Sequence, residues 1–261
     1  MRTNGLRCVA WLLCAALPLA SAERARAAAP TEKQVLDAIE AGKDYLVRQQ
    51  AKNGSWIPET GARYTHGVTA LALLALMNSG MTAEDPPVAR GLKYLRDLPS
   101  GQPSTTYEIS LAISAFVAAN DGQRDMARIL RLVQQLEATQ LTRGVASGAW
   151  SYPLPHADLF DHSNSQYAIL GLREAAVFGV PVKRETWERA RTHWIATQGI
   201  DGGWNYTGDV QASTGSMTAA GIASLVITES MLGQEDETDA AGNLLCCGDH
   251  SVDEPLERGL K

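Results

Sequence analysis

Polar side chains cluster at the starts of the most apolar stretches of the chain, and these residues have the types that could do chemistry. Glu108, Asp161 and His162 could exchange protons with a ligand, so they are the candidate catalytic residues. Six others could hold a ligand by hydrogen bonding or aromatic contact: Tyr64, His66, Tyr107, Asn164, Gln166 and Ser216. The alternative is plain N-capping, which applies most directly to Ser163 and Ser213.

A second group that could do chemistry is Cys246, Cys247 and His250, in an acidic stretch near the C-terminal end. Cysteine and histidine can bind zinc, but adjacent cysteines are poorly placed as two ligands of one tetrahedral ion. We therefore expect a solvated loop with reactive thiols and no metal site. The sequence contains no P-loop, dinucleotide fingerprint or nucleophile elbow, and we expect no cofactor.

The elements that must position these side chains are helices that alternate in character. Residues 34–50 place Val35, Ile39 and Leu46 on one face, which is typical of an amphipathic helix. Residues 66–78 are apolar nearly all round, as expected of a helix covered on both sides. Similar pairs follow at 87–96 and 106–119, 124–139 and 163–178, and 182–197 and 213–231, and a fifth begins at Leu256. Strand-like alternation is missing, so we predict an all-α protein built from helical hairpins.

A glutamine followed by Gly-x-Trp closes three of the amphipathic stretches. Residues 50–56 and 198–204 share the spacing Q-x-x-x-G-x-W, and residues 140–150 contain the same turn with a four-residue insertion. The pair that begins at 87–96 has lost this turn. Glycine permits a tight turn, while the tryptophan and glutamine can tie one helix to the next. A repeat at this scale predicts that each hairpin buries its apolar face against its neighbours.

These turns resemble the QW motif of the prenyltransferase and squalene-cyclase repeat family, which is preceded by K/R-G-x-x-Y/F-L, as in Gly42-Lys-Asp-Tyr45-Leu46. The resemblance covers about residues 34–261. It implies a terpenoid cyclase-like α/α toroid, in which inner helices form a ring inside outer helices and begin at the rim of a cavity. With four hairpins and the start of a fifth, we expect residues 28–261 to form an incomplete ring, truncated at the C-terminus.

The acid that starts catalysis in the cyclases is missing from the matching position. Those enzymes begin one inner helix with D-x-D-D-T-A, whose middle aspartate protonates the polyene. Aligned through Ala168, the acidic positions fall on Ser163, Ser165 and Gln166, none of which can protonate an alkene. The D-D-x-x-D motif for diphosphate and magnesium is also missing.

The first 27 residues have the pattern of a secretory signal peptide, with a retained anchor as the alternative. Arg2 and Arg7 precede an apolar run too short to span a bilayer, and Ala20-Ser21-Ala22 and Ala25-Arg26-Ala27 offer cleavage sites. Without this segment, 19 Lys and Arg face 28 Asp and Glu, a net charge of −9. Such a chain is a poor partner for nucleic acid or anionic lipid. We expect a secreted or periplasmic protein with no later membrane span.

Two functional hypotheses follow. The first is a non-catalytic toroid that binds an apolar small molecule or a protein partner. The second is an enzyme acting on an isoprenoid or another apolar substrate, which predicts an aromatic-lined cavity able to stabilise a carbocation. A polysaccharide-lyase-like toroid would need a basic cluster at the rim, and only Arg63 lies near it. The apolar stretches are rich in Ala, Leu, Ile and Ser, so we favour the first hypothesis.

Overall fold

The computed structural model describes residues 29–57, 61, 64–152, 159–208, 212–233 and 254–261, and within these ranges all regular structure is helical. This confirms the predicted all-α class. The helices are α1 Glu32–Gln49, α2 Thr65–Asn78, α3 Pro86–Arg96, α4 Thr106–Ala119, α5 Gly122–Thr139, α6 His162–Val177, α7 Arg184–Ala196, α8 Gly215–Gly233 and α9 Glu254–Leu260. The expected signal peptide, Arg63, and the stretch with Cys246, Cys247 and His250 lie outside the described residues.

The even-numbered helices form an inner row, and the odd-numbered helices form an outer layer that covers it. Helix α2 packs on α4, α4 on α6 and α6 on α8, while α3 packs on α2 and α7 packs on α8. Inner helices bury several faces, and α4 buries Ile109, Ile113 and Phe116 together with polar Ser110. The outer helices α3 and α5 carry one apolar stripe each, as amphipathic helices on a core do.

The glutamine of each Gly-x-Trp turn connects one hairpin to the next. In the middle turn, the side-chain amide of Gln140 donates to the carbonyl oxygens of Gly148 (3.1 Å) and Thr186 (3.0 Å). Gly148 belongs to the same turn. Thr186 lies in the first turn of α7, which is the outer helix that follows α5 and is separated from it in the chain by the inner helix α6. The guanidinium of Arg189 donates back to Gln140 Oε1 at 2.9 Å. Both N–H groups and the oxygen of the Gln140 side-chain amide are therefore hydrogen bonded.

The tryptophan of the same turn fixes it to the two helices of its own hairpin. The indole Nε1 of Trp150 donates to the carbonyl oxygen of Leu136 in α5 at 2.8 Å, and its backbone N–H donates to Ser165 Oγ in α6 at 3.0 Å. The ring is fully buried. Together, the glutamine and tryptophan join two outer helices, the turn and an inner helix.

The other two turns repeat these bonds. The equivalent residues are Gln50, Gly54, Trp56, Pro87 and Arg90 in the first turn, and Gln198, Gly202, Trp204, Pro255 and Arg258 in the third. In all three turns the arginine follows the bonded carbonyl by three residues, so both lie on one face of the helix that completes the joint. We call each set of bonds a joint.

The glycine of each joint lets the next outer helix approach the turn backbone to backbone. Gly148 has φ +94°, and a Cβ there would lie 2.0 Å from the carbonyl oxygen of Arg189. Gly54 and Gly202 repeat both features, with 2.4 Å to the equivalent arginine carbonyls. Glycine is required because the backbone is left-handed and because no side chain fits.

Gly148→Ala should destabilise the fold more than Gly179→Ala, although both glycines have a left-handed backbone, with φ +94° and +98°. A Cβ at Gly179 meets nothing within 4 Å, so only backbone strain of about 1–2 kcal/mol applies there. At Gly148 the backbone of α7 must also move, and we expect a total loss of about 2–5 kcal/mol. Urea unfolding followed by circular dichroism measures both losses, and equal values would contradict the close approach.

Between α3 and α5, where the Gln–Trp turn has been lost, a buried ion pair joins the two outer helices. Arg96 donates two hydrogen bonds to the carboxylate of Asp125, one of them with an Nε–Oδ1 distance of 2.9 Å. A third bond of 3.3 Å reaches Asp121. Asp125 is fully buried, and its hydrogen bond raises the pKa of Arg96. An ion pair thus takes the place of the glutamine amide.

Removing one partner of this pair should be costly because the largely buried guanidinium of Arg96 loses its main partner. We expect Asp125→Ala to lower the free energy of unfolding by about 3 kcal/mol, since Asp121 remains near Arg96. The control is Asp97→Ala, which breaks the exposed pair between Asp97 and Lys93 and should cost less than about 1 kcal/mol. Chemical denaturation of both variants makes the comparison. A loss at Asp125 no larger than at Asp97 would show that the pair does not hold α3 to α5.

Helix α8 departs from the expectation that no later stretch could span a membrane. With 19 residues, it is long and apolar enough to do so by length and composition alone. The same helix packs against α6, α7 and α9, and it buries Met217, Ala220 and Leu225.

Helix α1 is sparsely covered, since none of its residues is buried. A Cβ at Gly42 would meet nothing within 4 Å. At Gly91 and Gly259, which hold the same place in α3 and α9, the ring of a tryptophan lies 3.0 Å from that position. Among the described residues, no side chain fills on α1 the place that a tryptophan ring takes on α3 and α9.

Candidate functional site

The first turns of neighbouring inner helices lie side by side and gather most of the predicted site residues into two groups. The backbone N–H of Gly67 in α2 donates to Glu108 Oε1 in α4 at 3.3 Å, which defines the first group. In the second, the ring of Tyr107 in α4 lies 4.4 Å from that of Tyr167 in α6. Ser216 belongs to neither group, because it lies exposed on α8.

Glu108 is buried and holds α4 against α2. Its side chain is only 4% exposed, and its Oε2 accepts the hydroxyl of Thr105 at 3.0 Å. The hydroxyl oxygen of Thr105 caps α4. A Cβ at Gly67 would lie 2.9 Å from Glu108 Cγ, so glycine is needed for this approach. Both carboxylate oxygens bond to the protein, which favours a structural role over the predicted catalytic one.

His66 contacts Tyr94, which lies close enough to Glu108 to feel its charge and was not among the predicted site residues. Its Nδ1 lies 2.9 Å from the hydroxyl of Tyr94 in α3. Burial, and then the negative charge of Glu108, raise the pKa of Tyr94. Tyr94 is the aromatic residue of the G-x-x-Y-L phrase that occurs at Gly42 and again at Gly91. This repetition was the sequence feature from which Tyr94 could have been identified. Tyr64 precedes α2 with 41% of its surface exposed.

Asp161 is the N-cap of α6 and not a free acid. Its Oδ1 accepts the backbone N–H of Asn164 at 2.9 Å and the hydroxyl of Ser163. The alternative that Ser163 is the N-cap was therefore wrong, because the cap lies two residues earlier, at Asp161. The expectation for Ser213 was also wrong, because Thr214 accepts the backbone N–H of Met217 at 3.3 Å at the start of α8.

His162 lies in the core, away from any surface. It has no exposed area, its ring stacks on Trp194 with centroids 4.3 Å apart, and its Nδ1–H donates to the carbonyl oxygen of Asn205. Its Nε2 lies 3.0 Å from Thr197 Oγ1. Burial lowers the pKa of His162. These contacts join α6, α7 and the third turn, and they favour a structural role over proton transfer.

His193 completes this buried aromatic cluster. Its ring centroid lies 5.2 Å from that of His162, and its Nδ1–H donates to the carbonyl oxygen of Val145 at 3.1 Å. Nε2 has no hydrogen-bond partner in the described part of the chain. Burial, and then the neighbouring His162, lower the pKa of His193 to about 4.

Three tyrosines pack together near the start of α6. The ring of Tyr107 stacks with that of Tyr152 at 6.3 Å and tilts against that of Tyr167 at 4.4 Å. Burial raises the pKa of Tyr107 to about 12 against the effect of a hydrogen bond with Ser163, and the other two tyrosines and Asp161 add to the increase. We call Tyr107, Tyr152 and Tyr167 the tyrosine cluster. Tyr152 and Tyr167 were missed, although the phrase W-x-Y recurs at Trp150 and Trp204.

The tyrosine cluster borders a groove of about 380 Å³ between α2, α4 and α6. Glycine at position 171 lets α6 approach α4 closely beside the groove, because a Cβ there would lie 2.8 Å from the backbone of Ser110. The lining includes apolar and polar groups: Leu74, Ser110, Leu111, Ser114, Tyr167 and Glu174. In the first turn of α6, Asn164 is fully buried, and its Oδ1 has no partner among the described residues. Gln166 is half-buried on the same helix.

Among the described residues, no group of three His, Cys, Asp or Glu side chains could hold a metal ion. Comparison of the chain with protein-family models, with characterised proteins and with solved structures gave no match. The site is therefore interpreted from its geometry.

The low pKa of His193 makes stability depend on pH. Unfolded histidine binds a proton near its ordinary pKa of 6.5, whereas folded His193 does so only near 4. Between these values the unfolded state holds more protons, so the free energy of unfolding should fall as the pH drops. His193→Asn keeps an N–H donor for Val145, and its stability should fall less steeply. Urea unfolding between pH 7 and 4 tests this, with exposed Thr192→Ala as control, and parallel slopes for the wild type and His193→Asn would contradict it.

Proposed function

We propose that this chain is an exported protein of the prenyltransferase and squalene-cyclase repeat type, which binds an apolar ligand in the groove of its inner row and does not catalyse cyclisation. A non-catalytic toroid of this type could also bind a protein partner in place of an apolar small molecule. The three joints support the relationship, because each uses the glutamine, glycine and tryptophan of the QW motif in the same way. The proposal includes an export signal in residues 1–27.

The two-layer packing supports an arc of an α/α toroid. Inner helices pack in chain order and outer helices cover them, as in a ring built from hairpins. Within the described part of the chain no tryptophan reaches Gly42 of α1, which is consistent with α1 lying at one end of such an arc.

Binding is favoured over catalysis because the three candidate acid–base residues are already bonded or buried within the fold. Glu108 has both oxygens hydrogen bonded, Asp161 caps α6, and His162 is fully buried. A general acid must reach the atom that it protonates. None of these three residues lines the groove between α2, α4 and α6.

The lining of this groove indicates the class of ligand. Leu74 and Leu111 offer apolar contact, and the hydroxyls of Ser110, Ser114 and Tyr167 offer a few hydrogen bonds. A pocket with mostly apolar contacts and few polar groups suits an apolar molecule with one polar end. An isoprenoid alcohol has this form.

Farnesol should bind the purified exported protein and leave it unchanged. Quenching of intrinsic fluorescence would give the dissociation constant, and mass spectrometry of the extracted ligand would detect any product. Ser114→Leu fills the groove, so we expect it to weaken binding by about tenfold or more. Thr192→Leu is the control, because Thr192 is exposed on α7 and donates the same hydrogen bond to the residue four positions earlier. No binding, or equal weakening in both variants, would refute the proposed site.

The alternative is an enzyme that acts on an isoprenoid or another apolar substrate. The tyrosine cluster favours it, since aromatic faces within 4.4 and 6.3 Å of one another can stabilise a carbocation. A cyclised product from farnesol or squalene, retained in Tyr107→Phe and lost in Tyr107→Leu, would establish this alternative in place of simple binding.

A further inference from the structure

Helix α5 carries three arginines on one face. Arg124, Arg128 and Arg131 are spaced by four and three residues, so neighbouring side chains repel each other and destabilise the helix. Arg124 lies 3.8 Å from the carboxylate of Asp121, whereas Arg128 and Arg131 make no ion pair in the described part of the chain. The chain as a whole is acidic, with net charge −6, yet these two arginines lie side by side without a carboxylate partner among the described residues.

Arg128 and Arg131 line a groove of about 730 Å³ between α5 and the loop that follows α3. Ser100, Gln102 and Gln134 also face the groove, and no carboxylate is among its lining residues. The third cation of the groove, Arg96, is bonded to Asp125 and Asp121. The groove therefore offers two available guanidinium groups and several neutral hydrogen-bonding groups.

The surroundings of Arg128 combine an aromatic ring with charges of both signs. Its guanidinium lies 5.9 Å from the ring centroid of buried Phe116. Burial, and then the charges of Arg131 and Arg96, lower its pKa, although the carboxylates of Asp125 and Asp97 act in the opposite direction. A bound anion would relieve the repulsion between the arginines.

We infer that this groove binds a small ligand with two or more negatively charged oxygen groups, held by Arg128 and Arg131. The planar guanidinium forms paired hydrogen bonds with a carboxylate or a phosphate. Gln134 and Ser100 can bond its neutral parts. The groove shares no lining residue with the apolar groove of the inner row, so this inference does not depend on the proposed function.

The test is titration calorimetry of the full exported chain with pyrophosphate and with citrate at low ionic strength, where such contacts are least screened. We expect saturable binding, about tenfold weaker in Arg128→Gln and in Arg131→Gln, and lost in the double variant. Binding of pyrophosphate alone would assign phosphate as the recognised group, and binding of citrate alone would assign carboxylate. The controls are Arg48→Gln and Arg143→Gln, which remove the same charge from exposed positions elsewhere.

Two results would overturn the inference. One is the absence of saturable binding of both anions, and the other is equal weakening in the control variants, which would show a response to net charge alone. The unliganded variants supply an independent measurement. Arg131→Gln should raise the Tm without ligand, because it removes repulsion from a folded helix. A lower Tm would mean that Arg131 already has a stabilising partner, and it would also refute the site.

Discussion

The side-chain amide of the turn glutamine carries the connection between hairpins, because it bonds two carbonyls and a guanidinium at once. Gln140 is 5% exposed, and its partners Gly148, Thr186 and Arg189 belong to a turn and to the helix that follows the next inner helix. A buried polar group left without a partner costs about 1–3 kcal/mol, so the amide, the carbonyls and the guanidinium depend on one another. The need for glycine follows from this contact, since only glycine lets the two backbones come close enough. Where the glutamine is lost, Arg96 and Asp125 supply a charged substitute.

The joints also determine what remains for function. They align the first turns of the inner helices, and this places acidic and hydrogen-bonding residues where helix ends need them. Glu108 and Asp161 are used there, and His162 is used in the core. What faces the groove of the inner row is a set of tyrosine and serine hydroxyls among apolar side chains, with one carboxylate, Glu174, that is paired with Arg173. That composition suits holding a molecule more than transferring a proton to it.

The parts of this structure that depend on short stretches could be predicted from the sequence. The apolar run 106–119 coincides with α4. Contacts between distant residues could not be predicted, and Arg189 was not recognised as the partner of Gln140 because 49 residues separate them. His162 was a candidate for catalysis because it begins an inner helix. Its burial depends on Trp194 and Asn205, which come from other elements. The tyrosine cluster was missed for the same reason, since Tyr107 and Tyr167 meet only when α4 packs on α6.

Each glutamine bonds a backbone carbonyl that lies 37 to 57 residues further along the chain. A polypeptide that emerges N-terminus first, from a ribosome or a translocation channel, must therefore wait for later residues before any joint can close. Its leading hairpins would remain unfinished, with glutamine, glycine carbonyl and tryptophan open to solvent, until the next partner helix arrives. Assembly then has a direction, and an interrupted chain would end in an open joint that a protease or chaperone could recognise.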